Sequence, residues 1–170
     1  AVGLVLKKKI GDRVARGEPL AELHKIYQGT DRVLGLEPIV RRGLEINGKL
    51  MDYAAGEYGP DLVHDFVRDF VARHRDRPFF LYYPMMLTHS PYQPTPDSKT
   101  WDPKAVGENV NKRPEHFADM VAYTDKLIGK LVAKLDELHL RDSTLLLILG
   151  DNGTGRGTPS RFKGRDVLGG

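Results

Sequence analysis

Cysteine is absent from all 170 residues, which excludes disulfides, thiolate metal sites and a cysteine nucleophile together. No apolar run approaches the roughly 20 residues needed to span a bilayer, and the first residues lack the basic-then-apolar pattern of a secretory leader. No membrane partner is expected. An excess of one charge is lacking as well: the formal net charge is +3, and Lys and Arg are scattered among acids except at Lys7–Lys9 and between Arg156 and Arg165. A nucleic-acid surface gathers its basic residues on one face, so no nucleic-acid partner is expected either. What the chain does have is an apolar fraction of 40%, enough for one domain with a core rather than a disordered segment.

The opening stretch alternates short apolar runs with glycine turns: residues 1–6, Ile10–Val14 and Gly17–Leu23. Such runs predict short strands joined by Gly-Asp and Gly-Glu-Pro turns. After Gly59-Pro60 the pattern changes. Proline suits a first helical position and Asp61 suits the positive helix start, while Leu62, Val63, Phe66, Val67, Phe70 and Val71 recur at helical spacing. An amphipathic helix is expected to about Arg75. Arg77-Pro78 ends it, and Phe79–Tyr83 reads as a short buried strand. Residues 84–97 hold four prolines and a histidine, the composition of an ordered loop.

A second helix is expected from about Pro114 to Leu138, with Phe117, Met120, Val121, Thr124, Leu127, Ile128, Leu131, Val132, Leu135 and Leu138 on one stripe. Leu140–Ser143 is a turn and Thr144–Leu149 a second strand, apolar on both faces, stopping at Gly150-Asp151-Asn152-Gly153. The tail from Thr154 has no periodicity and reads as a loop. Helix, strand, long loop, helix, strand predicts an α/β fold with a partial, mostly parallel sheet flanked by helices, behind a short β-rich N-terminal segment.

In an open α/β sheet, ligands bind where the loops leave the carboxyl ends of the strands. Two such loops carry polar residues here, Thr88-His89-Ser90 and Asp151-Asn152, and topology predicts that they converge. Asp and Asn together offer hard oxygen ligands for Ca²⁺ or Mg²⁺; taken alone, Asp-Asn-Gly is equally a turn. His89 is a loop histidine that could simply bond to backbone, or could donate to an anionic ester and protonate a leaving oxygen. His64, His74, His116 and His139 fall on helix faces or ends, where solvated positions account for them.

Two resemblances follow from these residues. Lys8-Lys9-Ile10-Gly11-Asp12, Val14 and Gly17-Glu18-Pro19-Leu20 reproduce a pattern of the hammerhead-like C-terminal module of pyrimidine nucleoside phosphorylases; the resemblance covers residues 1–24 and implies no catalytic residue. Residues 78–92 (PFFLYYPMMLTHSPY), 94–98 (PTPDS), 120–130 (MVAYTDKLIGK) and 145–154 (LLLILGDNGT), with Tyr58–Val63 ahead of them, resemble the central block of arylsulfatase-type sulfatases. The division implied is 1–25 as a small β segment, 26–43 as an unassigned connector and 44–170 as part of a sulfatase catalytic domain with an alkaline-phosphatase-like core.

The sulfatase resemblance implies that Asp151 and Asn152 coordinate a divalent cation, usually Ca²⁺, and that His89 contacts a small-molecule or sugar sulfate ester as a substrate-binding and leaving-group residue. It implies attack on sulfur by a hydrated formylglycine made from cysteine or serine. The family's nucleophile motif does not precede Leu44. Thr158-Pro159-Ser160-Arg161 echoes its second half, but Gly157 stands at the nucleophile position and the order along the chain is reversed. The expectation is therefore a sulfatase fragment without turnover of its own, with sheet edges left unpaired and prone to self-association. Two alternatives stay open: a metal-assisted phosphate-ester or phosphonate hydrolase of the same superfamily, and a non-catalytic α/β module or chimeric reading frame joining two unrelated patterns.

Overall fold

The computed structural model describes residues 2–6, 21–29, 43–46, 49–51, 54, 56–105, 109–150, 152, 153, 155, 158 and 161–167; for strands preceding Ala54 the description is of backbone pairing. The elements run β1 (Val2–Leu6), β2 (Ala21–Gly29), β3 (Gly43–Ile46), β4 (Lys49–Met51), α1 (Gly59–Arg73), β5 (Phe79–Tyr82), α2 (His116–Glu137), a 3₁₀ turn (Arg141–Ser143), β6 (Arg161–Phe162) and β7 (Arg165–Asp166). The expected strand over residues 1–6 is present as β1, and β2 runs on past Leu23; Ile10–Val14 lies outside the described residues.

Helix α1 starts on Tyr58 without a side-chain cap, relying on Pro60 at its start and Asp61 in its first turn. It ends where His74 turns back: its backbone N–H reaches the carbonyls of Phe70 and Val71, and its Nδ1 donates to the Phe70 carbonyl at 2.6 Å. Val63, Val67, Phe70 and Val71 of α1 meet Leu131 and Leu135 of α2, with Phe79 and Leu81 of β5 and Leu146 closing the cluster. A second cluster joins Tyr58, Leu87, Met120, Tyr123 and Leu127. Each fully buried Val, Leu or Phe in these clusters contributes about 1.5–3 kcal/mol.

The two helices are also joined by polar contacts. Tyr123 of α2 donates to the Asp61 carboxylate, its oxygen 2.7 and 2.9 Å from the two acceptors. Tyr58 stacks edge-on between Trp101 and Tyr123, with both centroid distances 5.4 Å. Burial, helped by the Asp61 bond and charge, pushes the Tyr123 phenol well above its ordinary range. A hydrogen bond to a charged group is worth about 1.5–3 kcal/mol, so Tyr123→Phe should cost that much, seen as a lower urea midpoint at unchanged slope. A loss no larger than that of an exposed substitution would mean that water already serves the Asp61 carboxylate.

The principal sheet has the order β4-β3-β2-β1-β5, and α1 lies against both β2 and α2. The mostly parallel arrangement read from the sequence is corrected here, because every described pairing is antiparallel. Strand β1 takes the edge of β5, pairing Val2 with Tyr82 and Leu4 with Phe80. Thr144–Leu149, expected as a second strand, joins no ladder. Leu146 packs into the core, while Leu145, Leu147, Ile148 and Leu149 are 84, 69, 62 and 86% exposed. Apolar sequence alone does not make a strand; a partner backbone must supply the other half of each hydrogen bond.

Three histidines are corrected as well. His64, His74 and His116 are buried at 1, 3 and 5% exposure, whereas His139 is exposed and ends α2 with a positive φ of 56°. The tail departs from a plain loop: β6 and β7 form a two-residue hairpin whose turn, Lys163-Gly164, has φ of 49° and 77°. Positive φ at both central positions gives the twist that tight hairpins need, and glycine takes one of them without strain. Among the described residues, no helix is long and apolar enough to cross a membrane.

Candidate functional site

The long loop after β5 presents His89. Its backbone is anchored by the N–H of His89 reaching the Met86 carbonyl at 3.3 Å, and Thr88 before it has a φ of 74°. The His89 ring is exposed, with Nδ1 2.6 Å from the Ser90 carbonyl oxygen. A carbonyl only accepts, so Nδ1 carries the proton and Nε2 of the neutral ring is the lone-pair nitrogen. His89 can therefore accept a proton at Nε2 and, once protonated, donate from it to an anionic ester oxygen.

The loop beyond His89 is held to α2 at several points. Gln93 N–H meets the Met120 sulfur at 3.4 Å, and Ser98 donates to Asp119 at 2.6 Å while accepting from the Thr95 N–H at 2.9 Å. Lys126 reaches the Asp97 carboxylate at 2.7 and 2.8 Å and lies over the Tyr123 ring, 4.9 Å from its centroid. The Arg113 N–H bonds to the Tyr92 carbonyl at 3.1 Å. Prolines limit what the loop can do, and these bonds set where it goes.

Of the two expected metal ligands, Asn152 is exposed in a bend after Gly150, and Asp151 lies outside the described residues. Among the described residues, no group of three or more His, Asp or Glu side chains is placed to hold a metal ion. Calcium takes six to eight oxygen ligands, so this chain's described residues do not make a cation site by themselves.

The flanks of the two predicted loops do meet. Tyr92, three residues past His89, has its hydroxyl 2.7 Å from that of Thr158, which is 8% exposed; Tyr92 also packs on Phe117 with a centroid distance of 5.1 Å. The contact joins the loop after β5 to the segment after Asn152, 66 residues apart. Neither residue was a candidate from sequence, and no spacing or periodicity could have paired them.

Two helices packed on an antiparallel sheet, with an exposed histidine on the loop after β5, describe an α/β chain without naming its chemistry. Comparison narrows it: the family model described as Sulfatase matches residues 21–167, and the chain belongs to the sulfatase family. It is 29% identical over 148 residues to N-acetylgalactosamine-6-O-sulfatase of Bacteroides thetaiotaomicron, covering 85% of this chain and 26% of that protein. It is 32% identical over 90 residues to arylsulfatase A of Homo sapiens, covering 53% and 15%, and 35% identical over 86 residues to N-acetylgalactosamine-6-sulfatase of Homo sapiens, covering 50% and 15%. The chain thus spans about a quarter or less of the length of these relatives. No solved structure matches. The matched stretch takes in residues 26–43, which sequence reading left without an assignment.

Proposed function

We propose that this chain is part of a sulfate-ester hydrolase, in which His89 contacts the ester and Asp151 with Asn152 supplies two oxygen ligands of a divalent cation, Ca²⁺ or Mg²⁺. The observation that carries this reading is the family match over residues 21–167, a range that includes both loops. The exposed His89 ring, with Nδ1 tied to the Ser90 carbonyl, supports the ester role. The three relatives are named as sulfatases, which favours a small-molecule or sugar sulfate ester over the phosphate-ester alternative.

The chemistry needs more than these residues hold. Electrostatic catalysis requires the nucleophile and the charge clamp in one cavity, and with no cysteine and Gly157 at the echo of the motif, the chain alone is expected not to turn over. In a complete sulfatase, Thr144–Leu149 would take a parallel place in the family's sheet and carry Asp151 and Asn152 at its carboxyl end. The test is thermal unfolding with and without millimolar Ca²⁺, repeated on Asp151→Ala/Asn152→Ala. Ligand at ten times its Kd adds about 1.4 kcal/mol to the folded state, a rise of about 3–5 °C in a domain of this size. A rise that the double variant loses supports the half-site; a well-folded chain with no rise overturns it and leaves family membership standing.

A further inference from the structure

We propose that Tyr92 and Thr158 are positioning residues of the candidate site, their hydroxyl pair fixing the His89 turn relative to the segment after Asn152; this rests on the reading of His89 as the ester contact. Among the described residues, the ties of His89 itself are local. Its N–H reaches the Met86 carbonyl and its Nδ1 the Ser90 carbonyl, so neither bond joins the turn to another element. Tyr92 supplies that connection. Its carbonyl accepts from the Arg113 N–H at 3.1 Å, its ring lies on Phe117 of α2, and its hydroxyl is 2.7 Å from that of Thr158. Three residues of chain reach at most about 10 Å, so a fixed Tyr92 confines His89.

On the other side of the bond, Thr158 is the one buried position among the described residues after Leu146, whereas Asn152, Gly153 and Gly155 are exposed. Its N–H closes a turn onto the Gly155 carbonyl at 3.2 Å. A buried hydroxyl needs a partner, and the Tyr92 phenol provides one from a loop 66 residues earlier. Apolar surfaces can slide past each other. A bond between two hydroxyls holds only over a narrow range of length and angle, so it sets a register between the segments that carry them. Through Arg113 and Phe117, the start of α2 thus places Tyr92, and Tyr92 places both the His89 turn and the segment around Thr158. Neither hydroxyl touches the ester in this assignment; both act through where they hold the chain.

The experiment has two arms, both run by NMR on the whole chain and on Tyr92→Phe, Thr158→Val and Thr158→Ser. Hydrogen exchange at the bonded amides of His89, Gln93 and Thr158 reads the contact itself. Losing one neutral hydrogen bond speeds local opening roughly 2- to 12-fold. Those amides should exchange faster by that factor in Tyr92→Phe and Thr158→Val, with the amides of α1 and α2 unchanged, and Thr158→Ser should match the wild type. The second arm follows the His89 ring signals during titration with 4-nitrophenyl sulfate. Apparent affinity should fall by the same factor in Tyr92→Phe and Thr158→Val and be kept in Thr158→Ser, a loss that a bond serving stability alone does not produce. Unchanged exchange, or faster exchange at unchanged affinity, overturns this assignment and leaves the ester role of His89 standing. A wild-type His89 signal that does not respond to the sulfate ester overturns the ester reading, and the positioning assignment with it.

Discussion

Phe70→Ala should destabilise the chain by about 3–5 kcal/mol, the usual cost of removing a buried aromatic ring. Phe70 is fully buried and meets Phe79 edge-on at 5.7 Å and His74 at 4.4 Å. It therefore holds α1 to β5 and supports the turn that ends α1. The ring cannot be replaced by collapse around it, because Val67, Val71, Leu131 and Leu135 are anchored on helices that Asp61 and Tyr123 already tie together. For a domain of this size, a melting temperature lower by about 10–15 °C is expected. Val121→Ala, on the exposed face of α2 at 44% exposure, should stay within about 0.5 kcal/mol of the parent. Similar losses from the two would mean that the core is loosely packed rather than interlocked.

Local patterns made most of the described helical structure legible. The stripes of α1 and α2 fell within two residues of the observed helices, and Phe79–Tyr83 differs from β5 by one residue, because helical burial and a short apolar run depend on neighbours in sequence. Pairing does not. That β1 would lie antiparallel beside β5, and that Thr144–Leu149 would remain outside the sheet, depends on which strands are present to compete for an edge. The histidines show the opposite lesson, since their burial was written in the spacing. His64, Val67, Val71 and His74 continue one face of α1, and His116 leads Met120, Tyr123, Leu127, Leu131 and Leu135 along α2. Position on the stripe outweighed residue type. At the candidate site, His89 could be singled out from its loop and from resemblance to a family; the Tyr92–Thr158 bond that draws the two loops' flanks together could not.

Acid should weaken this fold through His64 well before its carboxylates are protonated. Both ring nitrogens of His64 are buried without a hydrogen-bond partner, as is Nε of Arg68 one turn later, and a buried polar group left unpaired costs about 1–3 kcal/mol. Burial is the main reason its pKa is lowered to about 4. The positive charges of Arg68 and of Lys130 across on α2 add to it, against the opposing pull of Asp65 and Asp61. The unfolded chain takes up the proton near the ordinary 6.5, the folded chain only near 4, so between those values the unfolded state binds more protons and stability falls as pH falls. It is fully retained above 6.5 and stops changing through this group below 4. Integrated over the window, the loss is about 3 kcal/mol. Urea unfolding from pH 7.5 to 4 should show this slope, and His64→Leu, which fills nearly the same volume without a titrating group or orphaned nitrogens, should flatten it and be more stable at pH 5. An unchanged slope in the variant would assign the acid sensitivity to other groups and show that His64 finds a partner in solution.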